Sequence, residues 1–303
     1  MNGTLRRSAP WLALVAVVIA GTFLVLVNQK ESDSSPRGDA DLSGELGRFV
    51  AGLHADAAYR PPEPDERRQL LSALRALRAG DSRRAADEAG ALGYTVRTGV
   101  DSATGRAFGL AVNPEDERAW GWYLVDLSTP VRLVVEVPHP NFDLHTEEIG
   151  LALYRAVPGS VLAVSGTHRK VANGAGDVAH RTDSMFHAVA RDLAEQGVPQ
   201  VQLHGFHDDN QPDTDVVVSP GAGDAGDHVR RVADRIDDED LRVCRSWRQD
   251  CGRLEGTSNE QGRDAAERGT VFVHLEISRS VRDDRAAWSK LVHAIEKADL
   301  GKE

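Results

Sequence analysis

Residues 131–150 read VRLVVEVPHPNFDLHTEEIG. Leu133–Val137 is an apolar run broken only by Glu136, and it stops at Pro138. His139, Asp143, His145, Glu147 and Glu148 follow at once. A buried strand that delivers imidazole and carboxylate groups at its end is a frequent way for α/β proteins to build a metal site. Two later segments repeat the pattern. VPQVQLHGF carries His204, and TVFVHLEIS carries Glu276.

Working outward, apolar runs recur at 133–137, 161–164, 216–218 and 271–277, with a weaker one at 198–203 where Pro199, Gln200 and Gln202 interrupt. Helical patterns lie between most of them: Thr146–Ala156, Ser184–Gln196, Asp227–Ile236 and Arg282–Ala298. Tyr94–Val100, Ala107–Val112 and Trp120–Leu127 read as earlier strands, the first two joined by the turn-forming Asp101–Gly105. Strands alternating with helices predict an α/β fold with a mainly parallel or mixed sheet covered by helices on both faces. Sites in such sheets form at the carboxyl ends of strands. His139, His204 and Glu276 fall at or near those ends.

Before the sheet, helices are expected over 44–56, 65–80 and 82–91, the second with Leu70, Leu71, Leu74 and Leu77 at helical spacing and Gly80 as its stop. The segment 44–93 reads as a small helical appendage, and 94–303 as the catalytic domain. Residues 28–43 (NQKESDSSPRGDADLS) read as a flexible spacer. Ala9–Val27 is a nearly unbroken apolar run behind Arg6 and Arg7, long enough as a helix to span about 28 Å. Its exit, Val25-Leu26-Val27-Asn28-Gln29, lacks the small-x-small pattern of a cleaved signal peptide. The expectation is a single-pass signal anchor in the cell membrane, with residues 1–8 cytoplasmic and the rest extracytoplasmic. Cys244 and Cys251 sit close together in VCRSWRQDCG, and in an oxidising compartment they are expected to pair as a disulfide.

The formal net charge is −11 with both signs interspersed, which argues against nucleic acid as the main partner. There is no His-Glu-x-x-His, Gly-x-Ser-x-Gly or phosphate-cradling Gly-x4-Gly-Lys.

His139 and Asp143 suit zinc, which takes nitrogen and oxygen ligands, and His204 is the natural third ligand. Glu276 sits inside a run expected to be buried. A buried carboxylate needs a partner or stays protonated, and beside an activated water it has a use as general base. The bland alternatives are a capping or surface role for His139, a turn role for Asp143, and an ion pair for Glu276.

These residues resemble the order used by zinc carboxypeptidases: a His-then-carboxylate pair after one strand, a His on a middle strand, a Glu on a late one. The chain looks more like two divergent groups of that superfamily, the N-formylglutamate amidohydrolases and the phage poly-γ-glutamate hydrolases. In the latter a Pro-His opening is followed by a carboxylate and Thr-x-Glu, here Pro138-His139, Asp143 and Thr146-Glu147-Glu148. The resemblance covers about residues 130–300. It implies a zinc-dependent hydrolase of amide bonds acting on a small peptide or amide substrate, with His139, Asp143 and His204 as ligands and Glu276 as base. The phage enzymes place Glu five residues after His, whereas this chain has Asp at four, so His145 and Glu147 stay open as second ligands. Thr146 is expected to cap the following helix, with Glu147 and Glu148 in its first turn.

Such enzymes also need an Arg to grip a substrate carboxylate. Arg169 is the first candidate, with Arg181, Arg279 and Arg282 behind it. His168 and His180 are candidate substrate contacts or ordinary surface histidines. Thr257–Arg263 opens a helix, capped by Ser258, that could line the pocket. Two rivals remain: a binding module on the same fold, and a metal-dependent phosphoesterase drawing further carboxylates from Asp208, Asp209, Asp213 and Asp215.

Overall fold

The computed structural model describes residues 39–113 and 117–301. Residues 1–8, expected to be cytoplasmic, the apolar run Ala9–Val27 and most of the expected spacer lie outside the described residues. Among the described residues no helix is long and apolar enough to cross a membrane. The spacer ends in structure, because Asp39–Ala40 forms strand β1. The described residues form one compact unit.

Helices α1 (Leu42–Ala51), α2 (Pro64–Arg78) and α3 (Ser82–Gly90) come next. In α2, Pro64 occupies the first turn and the Glu66 carboxylate accepts from the Glu63 N–H, which together start the helix. Leu70, Leu74 and Leu77 are buried, and Gly80 ends the helix with φ +81°. Strands β2 (Thr95–Asp101), β3 (Ala107–Val112) and β4 (Trp122–Asp126) form a meander. Then come β5 (Leu133–Val137), α4 (Thr146–Ala156), β6 (Ser160–Val164), α5 (Met185–Ala194) and β7 (Gln200–Phe206). The chain finishes with β8 (Val216–Ser219), α6 (Asp227–Asp238), β9 (Val243–Arg245), α7 (Glu260–Arg268), β10 (Phe272–Ser278), α8 (Arg279–Asp283) and α9 (Arg285–Ala298).

The ten strands make one mixed sheet in the order β1-β2-β3-β4-β6-β5-β7-β10-β8-β9. Its centre, β6-β5-β7-β10, is parallel. Strand β8 runs antiparallel to β10. Helices α1, α4, α6 and α9 share one apolar core with one face of the sheet, and α2, α3 and α5 share another with the opposite face. The helices of 44–93 are therefore packed within the same unit as the sheet.

Alternation along the central strands decides what each face carries. Val135 and Val137 of β5, Val201 and Leu203 of β7, and Val273, Leu275 and Ile277 of β10 belong to the core under α4 and α9. The residues between them are Glu136, Gln202, His204, His274 and Glu276. Register aligns Glu136 with Gln202, Gln202 with His274, and His204 with Glu276. The Gln residues that made 198–203 look weak are thus the alternate positions of a regular strand.

Four local expectations are corrected. Strand β7 does not stop at Leu203: His204–Phe206 continue the ladder against Glu276–Ser278, so His204 lies within the strand. Helix α4 is capped by His145, at φ +70°, not by Thr146, whose Oγ1 donates to the Asp143 carbonyl 2.7 Å away. Glu147 and Glu148 do lie in its first turn. Asn259, not Ser258, caps α7 by accepting from the Gly262 N–H. The last helical stretch breaks at Asp284, whose side chain caps α9 by accepting from the Ala286 N–H.

Candidate active site

Past the end of β5 the chain turns on itself. The Asp143 N–H donates to the His139 carbonyl at 2.9 Å, so the Asp143 side chain comes back beside the His139 ring. His204 reaches the same point from β7. Asp143 Oδ2 lies 3.2 Å from His139 Nδ1 and 3.4 Å from His204 Nδ1. All three residues are buried, and their ligand atoms fall within 4.8 Å of one another. Two ligands about 2.05 Å from one zinc ion at tetrahedral angles sit roughly 3.3 Å apart, close to both separations.

The hydrogen bonds behind the rings fix which nitrogens are free. Gln261 Nε2 donates to the Val178 carbonyl, so Gln261 Oε1 accepts from Gln202 Nε2 at 3.1 Å. Gln202 Oε1 is then an acceptor, which Asn259 Nδ2 also uses as a donor to it. The second partner of that oxygen, 2.7 Å away, is His204 Nε2, which must carry a proton. Burial lowers the His204 pKa to about 4, so at neutral pH the ring is uncharged and Nδ1 is a bare lone pair. That lone pair faces a carboxylate oxygen, an arrangement a cation between them would relieve. His139 is built the same way: Nε2 donates to Asp177 Oδ1 at 2.8 Å, and Nδ1 points at Asp143. Outer partners of this kind orient metal-binding imidazoles. The donor set therefore fits a metal ion such as zinc.

Electrostatics agree. Burial pulls the Asp143 carboxyl upward, but the His139 bond and the approach of His204 outweigh it and hold the group well below the usual carboxylate range. Asp177 is shifted down in the same way, burial again opposed by its bonds to His139 and His180. Burial lowers the His139 ring, yet its two carboxylate partners raise it above the ordinary value.

Glu276 and His274 add to the floor of the site. Glu276 Oε2 is buried without a hydrogen-bond partner. Burial, reinforced by the Asp143 charge, pushes its carboxyl well above the usual range. His274 packs its ring 4.7 Å from that of His204, its Nδ1 is unpartnered, and burial holds its pKa far below the ordinary value. His204, His274 and Glu276 form a second group with metal-ligand spacing. Since His204 Nε2 is committed to Gln202, only Nδ1 is available, and the two groups describe one site.

A cavity of about 440 Å³ opens over these residues. His139, His204, His274 and Glu276 line it, with Phe142, Arg169 and His180 on one side and the loop 252–259 on another. Arg169 lies over the Phe142 ring and gives Nε and Nη2 to Asp177 Oδ2, at 3.2 and 3.1 Å, leaving Nη1 free. His180 also bonds Asp177. The loop begins at the Cys244–Cys251 disulfide.

Other candidates fall elsewhere. Arg279 pairs with Asp283, and Arg181 with Asp183; neither lines the cavity. Arg282 is buried and donates to the carbonyls of Ile277, Leu144 and Phe206. A Cβ at Gly205 would lie 2.4 Å from its guanidinium carbon, so the room Gly205 leaves belongs to Arg282. His145 is half exposed and bonds Glu148, which takes it away from the cluster. Glu147 faces a separate groove between α1, α4 and α9. Asp208 is held by Ser280 and Asp215 by Arg242, and none of the four aspartates at 208–215 lines the cavity.

Asn259 and Gln261 belong to the 257–263 stretch expected to line the pocket, whereas Gln202 and His274 were not singled out as partners of the site. For Gln202 and His274 a signal existed, the strict alternation with apolar neighbours. For Asp177 the signal was only its place in the polar stretch 166–181, and its contact with His139 spans a loop.

No family model and no curated relative matches the chain. Solved structures do match. The chain is similar to a bacteriophage poly-γ-glutamate hydrolase at 14% identity, covering 68% of this chain and 87% of that one, with a TM-score of 0.38. It is similar to an N-formylglutamate amidohydrolase from Ralstonia eutropha JMP134 at 14% identity, covering 64% and 95%, with a TM-score of 0.40. It is similar to a metallo-carboxypeptidase from Burkholderia cenocepacia at 13% identity, covering 72% and 68%, with a TM-score of 0.37. TM-scores of 0.40 and below leave the chemistry to be read from this chain's own atoms.

Proposed function

We propose that the chain is a membrane-anchored, extracytoplasmic zinc-dependent hydrolase of amide or peptide bonds. The observation that carries this reading is the convergence of His139 Nδ1, His204 Nδ1 and Asp143 Oδ2, each imidazole backed by an acceptor on its other nitrogen. A zinc ion held there would supply Lewis acidity to a substrate carbonyl and acidify a water.

The residues around it have definable tasks. Asp143 stays ionised and balances positive charge. Asp177 and Gln202 keep the two imidazoles turned with Nδ1 inward. Burial and the Asp143 charge disfavour the ionised form of Glu276. With a cation held beside it that preference would reverse, and the carboxylate would be placed to accept a proton from a water and return it to a leaving amine. Arg169, through its free Nη1, is placed to hold the developing oxyanion or a substrate carboxylate. His180 is a further substrate contact. Arg279, paired outside the cavity, is not given a part.

The substrate is a small peptide or amide, and outside the membrane cell-wall peptides are the nearest class. The disulfide supports an oxidising compartment. The Ala9–Val27 run supports the anchor. The test is metal content and turnover together. The purified protein should carry about one zinc, lose it in His139→Ala, and keep it without turnover in Glu276→Gln. Absence of zinc, or an active Glu276→Gln, sinks the reading. Turnover of phosphoesters alone would replace the amidase by the phosphoesterase.

A further inference from the structure

His204 has two acceptors competing for one ring proton. Asp143 Oδ2 lies 3.4 Å from Nδ1, and Gln202 Oε1 lies 2.7 Å from Nε2. The first separation is beyond the usual range for N–H···O and the second is at its short end. The proton therefore sits on Nε2 only as long as Gln202 presents its oxygen. A Gln202 amide turned end for end would present its NH₂ group instead. Nε2 would then become the acceptor, and the proton would move to Nδ1, the nitrogen that faces the metal position.

The start of α7 blocks that turn from both ends of the amide. Asn259 Oδ1 accepts from the Gly262 N–H at 3.0 Å, which leaves Nδ2 to face Gln202 Oε1. Gln261 Nε2 donates to the Val178 carbonyl at 3.1 Å, which leaves Gln261 Oε1 to accept from Gln202 Nε2, also at 3.1 Å. A backbone N–H only donates and a backbone carbonyl only accepts, so each of these two amides has one orientation. A turned Gln202 would set NH₂ against NH₂ at Asn259 and oxygen against oxygen at Gln261, and all three residues are buried. Glu136, the remaining partner of Gln202, does not discriminate, because a carboxyl accepts when ionised and can donate when protonated.

The loop 252–258 delivers Asn259 to this position. Cys251, fully buried, ties the start of the loop to Cys244 at the centre of β9. The Glu255 carbonyl accepts from Ser219 Oγ at 2.5 Å, and the Glu255 carboxylate accepts from the Cys251 N–H at 3.1 Å. The Gly256 carbonyl accepts from the Asn259 N–H at 3.0 Å. Gly256 itself, at φ +62°, lies on the His274 ring: a Cβ there would come within 2.6 Å of it. That ring packs on His204. The loop thus reaches His204 by two routes, through the amides and through the stacked rings.

We propose that Asn259 and Gln261 are positioning residues of the metal site. They clamp the Gln202 amide, hold the His204 proton on Nε2 against the pull of Asp143, and keep Nδ1 open for a metal ion. The Cys244–Cys251 bridge acts through the loop to hold Asn259 in the clamp. The purpose of the clamp rests on the zinc hydrolase reading, but the tautomer it enforces stands on the hydrogen bonds alone.

The test uses the full-length protein with isotope-labelled histidine, after removal of metal by a chelator. Ring carbon and nitrogen NMR shifts then report which nitrogen carries the proton, with neither metal nor substrate present. In the wild type His204 is protonated at Nε2. Asn259→Asp keeps a capping oxygen for Gly262 and replaces the donor facing Gln202 by an acceptor. Gln202 then turns, the His204 proton moves to Nδ1, and zinc affinity measured by chelator competition falls roughly 10–100-fold. Asn259→Ser, which caps α7 but removes the donor, populates both tautomers. Cys244→Ser/Cys251→Ser does the same, with faster amide exchange over 252–259, and it tests the clamp with Asn259 intact if Asn259→Asp does not fold. A proton on Nδ1 in the wild type, or an unchanged tautomer in the variants, overturns the proposal. Zinc loss in Asn259→Asp with the proton still on Nε2 also overturns it, because Asn259 would then be a helix cap only. A wild-type protein with the Nε2 proton and bound zinc but no amide turnover sinks the hydrolase reading and leaves the clamp standing.

Discussion

Strands β5, β7 and β10 have two faces made by the same backbone, and the two faces follow opposite rules. Under α4 and α9 Val135, Val137, Val201, Leu203, Val273, Leu275 and Ile277 are aliphatic and buried. On the other face the same strands carry Glu136, Gln202, His204, His274 and Glu276, also largely removed from water. The first face gains free energy simply by burial. The second loses it unless each polar group finds a partner, and the partners come from loops and helix ends: Asp143, Asp177, Asn259 and Gln261. Several atoms still find none, among them Glu136 Oε1, His274 Nδ1 and Glu276 Oε2. A structure that keeps such groups buried is storing chemistry on that face and leaving stability to the other.

The sharpest break in the comparison is at Glu276. Glu276→Gln keeps the shape and removes the ionisable group, so zinc content and melting temperature should stay while amide turnover falls by roughly 10²–10⁴-fold. Stopped turnover accompanied by lost zinc would mean that Glu276 is a ligand rather than a base.

The opposite break is made from the aliphatic face. Leu153 of α4 is fully buried in that core. Leu153→Ala should cost about 2–5 kcal/mol of stability, measured by denaturant unfolding, while zinc per folded molecule is unchanged. A loss of zinc at full folding would show that the two faces are not separable.

Glu136 tests the polar face as a cost. Burial raises its pKa from 4.5 to about 8, against the bond from Gln202 Nε2. A group whose folded pKa lies above its unfolded value contributes stability that is complete below pH 4.5 and is lost as pH rises through about 8. The slope is at most about 1.4 kcal/mol per pH unit. Glu136→Gln keeps an acceptor for Gln202 and cannot ionise, so its unfolding free energy should stay flatter than the wild type's over that window. Parallel curves for the two proteins would show that Glu136 is not the titrating group.

What could be read in advance follows the same division. The aliphatic face announces itself as apolar runs, and those runs located all the central strands. His139, Asp143, His204 and Glu276 were legible because an imidazole or carboxylate stands out against such a run. Gln202 and His274 occupy equally regular positions, but a glutamine reads as an interruption and a histidine two residues before a glutamate reads as a neighbour. Asp177 was legible only as a member of a polar loop, because its position depends on how that loop closes and not on period. The arginines show the limit most clearly. Arg279 and Arg282 looked as available as Arg169, and only the contacts reveal that Arg279 is paired at the surface and Arg282 is tied to three backbone carbonyls.

Asp177 gives the smallest effect and the finest division between holding a fold and tuning a site. Its carboxylate touches His139, His180 and Arg169, and it is partly exposed. If its bond to His139 Nε2 serves to keep Nδ1 inward, Asp177→Asn should weaken zinc binding about 10–100-fold, because an amide can still accept the imidazole proton but no longer supplies charge. Stability should change little, since the ion pair with Arg169 is half exposed and such pairs contribute about 1 kcal/mol or less. Competition with a chromogenic chelator measures the first quantity and thermal unfolding of the metal-free protein the second. A large stability loss with unaltered zinc affinity would assign Asp177 to the loop that carries it, and would move the boundary between the two faces from the strands into that loop.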